Sequence, residues 1–190
     1  VAGQVTYPAR FQLIAAMNPC KCGFFPDLGK CRCTPTQIRR YLNRVSGPFL
    51  DRIDIGVEVP RQDLGMMAAE KSIDEGSFPQ TEQRNSSAVM RARVMEARAR
   101  QEKRFADESI SYNSQMTRRQ IEEYCRLSGE DAVFLEKVER QQGISARGHG
   151  KILKVARTLA DLDGQAEIGR TQLAEAIGFR SFEKKYWGSL

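Results

Sequence analysis

Four cysteines form two tight pairs near the start of the sequence, Cys20-Lys21-Cys22 and Cys31-Arg32-Cys33. Among the eight residues between the pairs, two glycines and a proline favour a turn that brings the pairs together. Four thiolates on one loop can enclose a single tetrahedral ion, most often Zn²⁺. Because four thiolates leave no open coordination position for water, the chemistry indicated is structural rather than catalytic.

Two disulfides or unliganded thiols are the alternatives to zinc. The C-x-C spacing is tighter than the usual C-x₂₋₄-C of zinc sites, which keeps these alternatives open. Disulfides require an oxidising compartment, whereas the sequence shows no signal peptide and no apolar run long enough to span a membrane. We therefore expect a structural zinc in a cytoplasmic protein that does not enter a membrane.

The elements flanking the loop indicate an α/β fold. The apolar run 11–17 predicts a buried strand that ends at Asn18, a position where open α/β sheets place ligand-contacting groups; an Asn-Pro turn is the alternative. Thr34-Pro35-Thr36-Gln37 is a capping box that begins a helix. Alternating apolar residues predict a second strand over 53–59.

The remainder of the sequence predicts helices. Residues 61–85 show no sustained apolar period and suggest a linker. Capping residues then indicate helices that begin near Ser86 or Ser87, Thr117, Ser128, Ser145 and Thr171. The predicted fold is mainly α: an α/β part over 1–60 with two strands, one helix and the 20–33 loop, then the linker, then a helical bundle over 86–190.

The first long helix of this bundle, from Ser86 or Ser87 to about Phe105, is strongly basic. Its polar faces carry six basic residues against two glutamates: Arg91, Arg93, Arg98, Arg100, Lys103 and Arg104 against Glu96 and Glu102. A solvated face with intrahelical ion pairs explains this pattern, and a surface for nucleic acid or a neighbouring subunit is the alternative. The net charge of +6 permits contact with nucleic acid without requiring it.

Three motifs, taken in order, resemble the magnesium-chelatase-like AAA+ ATPases of the ComM/YifB type. They are Ala16-Met17-Asn18-Pro19 with the cysteine loop, the run Ser46-Gly47-Pro48-Phe49-Leu50-Asp51-Arg52-Ile53-Asp54, and the run from Ser145-Ala146-Arg147 to Leu162. The resemblance implies the end of an AAA+ core followed by its helical lid.

The resemblance also implies site residues and cofactors. Asn18 matches the sensor 1 position, which helps to orient the attacking water. Arg52 matches the arginine finger that reaches a neighbouring subunit's nucleotide. Arg147 matches sensor 2, a lid residue that contacts the γ-phosphate in its own or an adjacent subunit. The implied cofactors are ATP and Mg²⁺, beside zinc on Cys20, Cys22, Cys31 and Cys33. Guanidinium groups suit these roles because their donors are permanently charged and match phosphate oxygens.

The sequence contains no G-x-x-x-x-G-K-[ST] phosphate loop. Since Val1 is not an initiator methionine and the first predicted strand begins almost at once, we expect a piece of a longer ATPase that does not hydrolyse ATP by itself. An enzyme assignment therefore concerns the longer protein.

The resemblance implies a hexameric ring of identical subunits that drives DNA branch migration, recombination or natural transformation. A magnesium-chelatase-type motor for metal insertion into a porphyrin is the first alternative, although the cysteine quartet argues against it. The second alternative is a non-enzymatic zinc-bearing module that binds nucleic acid with a marked salt dependence.

Overall fold

The computed structural model describes residues 5–9, 11–60 and 86–188, so the predicted linker over 61–85 lies outside the described residues. The chain divides into two compact units, one ending at Val45 and the other beginning at Ser46. The segment predicted as the second strand therefore lies in the same unit as the helical bundle. The division into core, linker and lid at residues 60 and 85 stays a prediction.

The first unit contains the cysteine loop and helix α1, Pro35–Leu42. Thr34 caps α1 with the predicted capping box, in which its hydroxyl accepts from the Gln37 N–H and the Gln37 side chain accepts from the Thr34 N–H. Ile38 and Leu42 bury one face of the helix, as their spacing predicts.

The second unit is helical. Its α-helices are α2 (Gly47–Leu50), α3 (Ser87–Arg104), α4 (Arg118–Tyr124), α5 (Gly129–Gln142), α6 (Ala146–Leu162), α7 (Arg170–Gly178) and α8 (Ser181–Trp187), with a 3₁₀ turn at Asn113–Gln115. The mainly helical prediction is confirmed. Within the described ranges, no helix is both long and apolar enough to cross a membrane.

Helix α6 forms the centre of this unit. Its buried side chains join those of α5, α7 and the segment around Phe105 in one apolar core, which includes Leu135, Ile152, Ala156, Ala160 and Leu173. The small residues Ala156 and Ala160 are fully buried, so neighbouring elements approach α6 closely. The core therefore fixes where both ends of α6 lie within this unit.

The two strands predicted over 11–17 and 53–59 are not strands in the structure. Both segments lack regular secondary structure, and apolar residues on them are exposed, among them Phe11, Ile14, Val57 and Val59. A strand requires a paired neighbour for its backbone N–H and C=O groups, and neither segment has one in the part of the chain that the structure describes. An apolar run or an alternating pattern indicates which side chains a strand would bury, but it does not indicate which segment the strand would pair with.

Two further details differ from the sequence predictions. The cap of α7 is Gly169 rather than Thr171, because the Gln172 side chain accepts a hydrogen bond from the Gly169 N–H at 3.2 Å. Helix α8, Ser181–Trp187, was not predicted, since most of its residues are charged or aromatic without a clear apolar period.

A buried carboxylate ties α3 to α6. Asp161 is fully buried and receives charged hydrogen bonds from Arg104 of α3 and an ion pair at 3.2 Å from Arg157 of its own helix. The Asn113 amide also donates to Asp161, at 2.8 Å. Because both arginines are largely removed from water, the carboxylate is their necessary counter-charge.

We predict that Asp161→Asn lowers the free energy of unfolding by about 3 kcal/mol or more, because two poorly solvated guanidinium groups lose their counter-charge. Urea unfolding measures the change. Glu96→Gln is the matched control, since the Glu96–Arg100 pair is exposed at 3.8 Å and such pairs contribute about 0–1 kcal/mol. Equal effects of the two substitutions would contradict the role of Asp161.

Candidate functional site

The four paired cysteines converge on one point. The Sγ atoms of Cys20, Cys22 and Cys31 are 3.3 to 3.8 Å apart, and all four Sγ atoms, with that of Cys33, lie within 4.8 Å of one another. A tetrahedron with Zn–S bonds of about 2.3 Å has sulfur–sulfur edges of about 3.8 Å. All four are free thiols, and their separations exceed a disulfide bond of about 2.05 Å. The donor set fits zinc.

Turns of the backbone produce this convergence. The Gly23 N–H donates to the Cys20 carbonyl at 3.1 Å, and Gly23 has a φ of +77°, a conformation that favours glycine. A second turn follows, in which the Cys31 N–H donates to the Asp27 carbonyl at 2.8 Å. Cys33 directly precedes the Thr34 cap, so the last sulfur is linked to the start of α1.

The electrostatics of the cluster favour a bound cation. A backbone hydrogen bond from Phe24 lowers the pKa of Cys22 to about 6. At Cys31, a backbone hydrogen bond from Cys33 acts to lower the pKa, but desolvation and the sulfurs of Cys22 and Cys20 outweigh it and raise the pKa to about 12. Four thiolates this close repel one another, and a divalent cation relieves that repulsion.

We predict that the chain binds about one zinc and that Cys31→Ser removes it, because the four-thiolate sphere then lacks one ligand. Elemental analysis of the purified chain and its variant measures the zinc. Cys125→Ala is the control: Cys125 is buried in the second unit, where burial raises its pKa to about 11, and we expect it to keep the zinc. Full zinc content in Cys31→Ser would contradict the site.

The second candidate site lies in the turn after α2, which carries Arg52. Ser46 caps α2 and Leu50 is buried, so the turn is anchored at its base. The Arg52 side chain is exposed, and its Nη1 donates to the Pro48 carbonyl at 2.6 Å. The arginine that the resemblance assigns as the finger therefore lies at the surface of this unit, on an anchored turn, with its guanidinium hydrogen-bonded to that turn.

Asp51, the neighbour of Arg52, binds the start of α6. Its Oδ2 lies 3.0 Å from Nη1 of Arg147, and its Oδ1 accepts from the Ser145 hydroxyl at 3.0 Å. Ser145 is also the cap of α6 and accepts from the Gly148 N–H at 3.1 Å. One carboxylate thus brings Arg52 and Arg147, both predicted from the sequence, into the same site.

Two basic residues that the sequence analysis missed complete this arrangement. Lys151, one turn after Arg147 on α6, donates to the Arg52 carbonyl and pairs with Asp54 at 2.8 Å. Arg180 donates to the Ile53 carbonyl at 2.9 Å, and its side chain is 5% exposed. The i, i+4 spacing of Arg147 and Lys151 was a usable signal, whereas no local pattern connects Arg180 with residues 51–53.

The position of Gly148 leaves no room for a larger side chain. A Cβ at this position would lie 2.7 Å from Cγ2 of Ile144, closer than side chains approach in practice. The glycine lowers helix propensity, but it lets the segment before α6 fold back against the first turn of the helix. It therefore helps to place Ser145 and Arg147 beside Asp51.

Asn18, the third predicted site residue, belongs to the first unit. Its side chain is exposed and lies next to Gly23 in the first turn of the cysteine loop, with its Cγ 3.8 Å from the position of a Cβ on that glycine. Arg52 and Arg147 belong to the second unit. The structure therefore brings together two of the three predicted site residues.

The contacts of α3 indicate whether its basic residues serve the fold or are free for a partner. Arg100 donates to the Asp161 carbonyl at 2.9 Å, Arg104 binds the Asp161 carboxylate, and Arg98 lies over the Tyr112 ring at 4.9 Å. Arg93 lies 3.9 Å from Asp163. Most of these cations hold the helix to its own unit, which favours the structural explanation of the charge.

Burial acts to raise the pKa of Asp51, but the hydrogen bonds from Arg147 and Ser145 outweigh it and hold the pKa below its usual value. A carboxylate with a lowered folded-state pKa stabilises the fold above its unfolded pKa of about 4, and the stabilisation is lost as the pH falls through the folded-state pKa.

We predict that Asp51→Asn lowers the free energy of unfolding by about 1–3 kcal/mol at neutral pH, because charged hydrogen bonds are lost. The difference from wild type should shrink below about pH 4, as the wild-type carboxylate becomes protonated. Urea unfolding over a pH series measures this. The control Glu136→Gln removes an exposed pair with Arg140 and should cost at most about 1 kcal/mol. A pH-independent effect of Asp51→Asn would contradict the interpretation.

Comparison with known proteins identifies the family. The model of the C-terminal domain of magnesium chelatase subunit ChlI matches residues 84–180, and the model of magnesium chelatase subunit ChlI matches residues 1–67. The chain therefore belongs to the magnesium chelatase family. Within this family it is a protein of the ComM/YifB type, as the following relatives show.

The chain is 42% identical to the uncharacterized protein YifB of Escherichia coli over 181 residues. The aligned region is 95% of the chain and 33% of that protein. It is 41% identical to the competence protein ComM of Haemophilus influenzae over 179 residues, or 94% of the chain and 32% of that protein. The chain thus spans about a third of the length of the curated relatives it matches.

Proposed function

We propose that this chain supplies the arginine finger and the helical lid of a longer AAA+ ATPase that acts as a DNA motor. The observation that carries the proposal is the ion pair between Arg147 and Asp51, which joins the first turn of α6 to the turn that carries Arg52. Both guanidinium groups are exposed, and both lie on well-anchored backbone, one on the turn after α2 and the other in the first turn of α6. This arrangement suits the binding of a triphosphate.

In this proposal Arg52 reaches the nucleotide of a neighbouring subunit and stabilises charge that develops on the transferred phosphoryl group. Arg147 contacts the γ-phosphate. To do so its guanidinium breaks the ion pair with Asp51 and binds the phosphate instead. Asn18 orients the attacking water. ATP and Mg²⁺ are bound with groups outside this chain, whose sequence contains no phosphate loop.

The cysteine cluster holds a structural zinc in this proposal. Its four sulfurs fill the coordination sphere, so the ion stabilises the loop and the start of α1 and takes no part in hydrolysis. The working assembly is a ring of identical subunits in the cytoplasm, because a finger that acts on a neighbour's nucleotide requires an adjacent subunit.

The proposed substrate is DNA in recombination or natural transformation. The name of the Haemophilus relative, competence protein ComM, supports this choice. The family name supports the alternative of a motor for metal insertion into a porphyrin. The two functions differ in what stimulates ATP turnover: added DNA for the first, a porphyrin with its metal ion for the second. A non-enzymatic zinc-bearing DNA-binding module shows no turnover at all.

We predict that Arg52→Ala, made in the full-length protein, lowers ATP turnover by about three orders of magnitude or more, while nucleotide binding is retained. Turnover is measured as phosphate release and binding with a fluorescent ATP analogue. Arg126→Ala is the matched control, since Arg126 is an exposed arginine with no polar partner among the described residues. Wild-type turnover by the Arg52 variant would contradict the finger role.

A further inference from the structure

The net positive charge of the described residues is concentrated in the first unit. Between residues 5 and 45 its basic side chains outnumber the acidic ones by six to one: Lys21, Lys30, Arg32, Arg39, Arg40 and Arg44 against Asp27. The second unit is nearly balanced, with 20 basic and 18 acidic residues among those described. The excess charge that attracts a polyanion is therefore on the unit with the cysteine cluster, not on the helical bundle.

The basic residues of the first unit are also available. Arg39 and Arg40 lie on α1 away from the buried Ile38 and Leu42, and Arg44 follows just after the helix. All three side chains are exposed and make no hydrogen bond or ion pair within the described residues, in contrast to four arginines of α3, which bind Asp161, Asp163 and the Tyr112 ring. Unpaired surface arginines are free to contact phosphate.

The cysteine loop also carries positive charge. The central residue of each cysteine pair, Lys21 and Arg32, is basic and exposed. These two charges also offset the formal negative charge that four thiolates leave on a zinc centre. Because Cys33 adjoins the Thr34 cap of α1, an ion bound to the cysteines fixes the start of the helix that carries Arg39 and Arg40.

We infer that the outer face of α1, with Arg39, Arg40 and Arg44, is a surface that contacts the phosphate backbone of DNA without reading its sequence. The inference deepens the proposed DNA motor and rests on it. It assigns DNA contact to the metal-bearing unit rather than to α3, the helix that the sequence alone marks as basic. Contacts of this kind make affinity fall steeply with salt.

The test measures binding of the zinc-loaded chain to a fluorescent DNA duplex of arbitrary sequence by anisotropy, over a series of salt concentrations. We expect Arg39→Gln with Arg40→Gln to weaken binding about tenfold or more at low salt and to reduce the slope of log K against log salt by about 1.8. The matched control is Arg91→Gln with Lys103→Gln, which removes the same charge from exposed α3 residues without described partners and should leave both quantities unchanged.

Several results overturn the inference. They are no binding by the wild-type chain at low salt, equal weakening by both double variants, or equal competition by an acidic polypeptide. A change of oligomeric mass in the α1 variant without loss of DNA affinity assigns the surface to a subunit contact instead. Zinc content and circular dichroism establish that the variants fold.

Failure here is distinguishable from failure of the proposed ATPase. The α1 double variant, made in the full-length protein, should keep its ATP turnover in the absence of DNA, whereas Arg52→Ala should lose it. Loss of DNA-free turnover in the α1 variant counts against a dedicated DNA surface, and the Arg52 result stands independently.

Discussion

The candidate site in the helical unit depends on one carboxylate, that of Asp51. It accepts from the Ser145 hydroxyl and from Arg147 at the start of α6, and its neighbours are held by Lys151 and Arg180. Residues 51–54 form a short turn without regular secondary structure. These contacts add to the hydrogen bond from Arg52 to the Pro48 carbonyl in holding the turn that carries Arg52. A guanidinium is useful in phosphoryl transfer only when it is well positioned.

A second carboxylate, Asp161, plays the corresponding part at the other end of α6. It neutralises Arg104 and Arg157 and so attaches α3 to the bundle. This contact changes how the basic residues of α3 are interpreted, because arginines that are bound within the fold are not available to bind a partner molecule. The larger excess of positive charge among the described residues lies in the cysteine-bearing unit, where Arg39, Arg40 and Arg44 have no paired carboxylate.

Short sequence patterns gave the most reliable predictions of structure. Capping patterns at Thr34, Thr117 and Ser145 correctly located helix starts, since a side chain three residues away satisfies the free N–H groups. The cysteine spacing predicted the cluster because a short loop limits how far the sulfurs separate. The contact of Arg180 with Ile53 and that of Asp161 with Arg104 were not predictable, because these partners are distant in sequence and a charged residue gives no sign that it is buried. The two strand predictions were wrong because neither an apolar run nor an alternating pattern shows which segment a strand would pair with.

The central claim is that Arg52 acts on the nucleotide of a neighbouring subunit. Its most direct test mixes two full-length variants that are each inactive alone, Arg52→Ala and one that cannot bind ATP. If Arg52 acts across the subunit contact, mixed rings regain turnover, since ATP-deficient subunits still supply an intact Arg52 to their neighbours. Mixed rings that form but stay inactive would contradict the account.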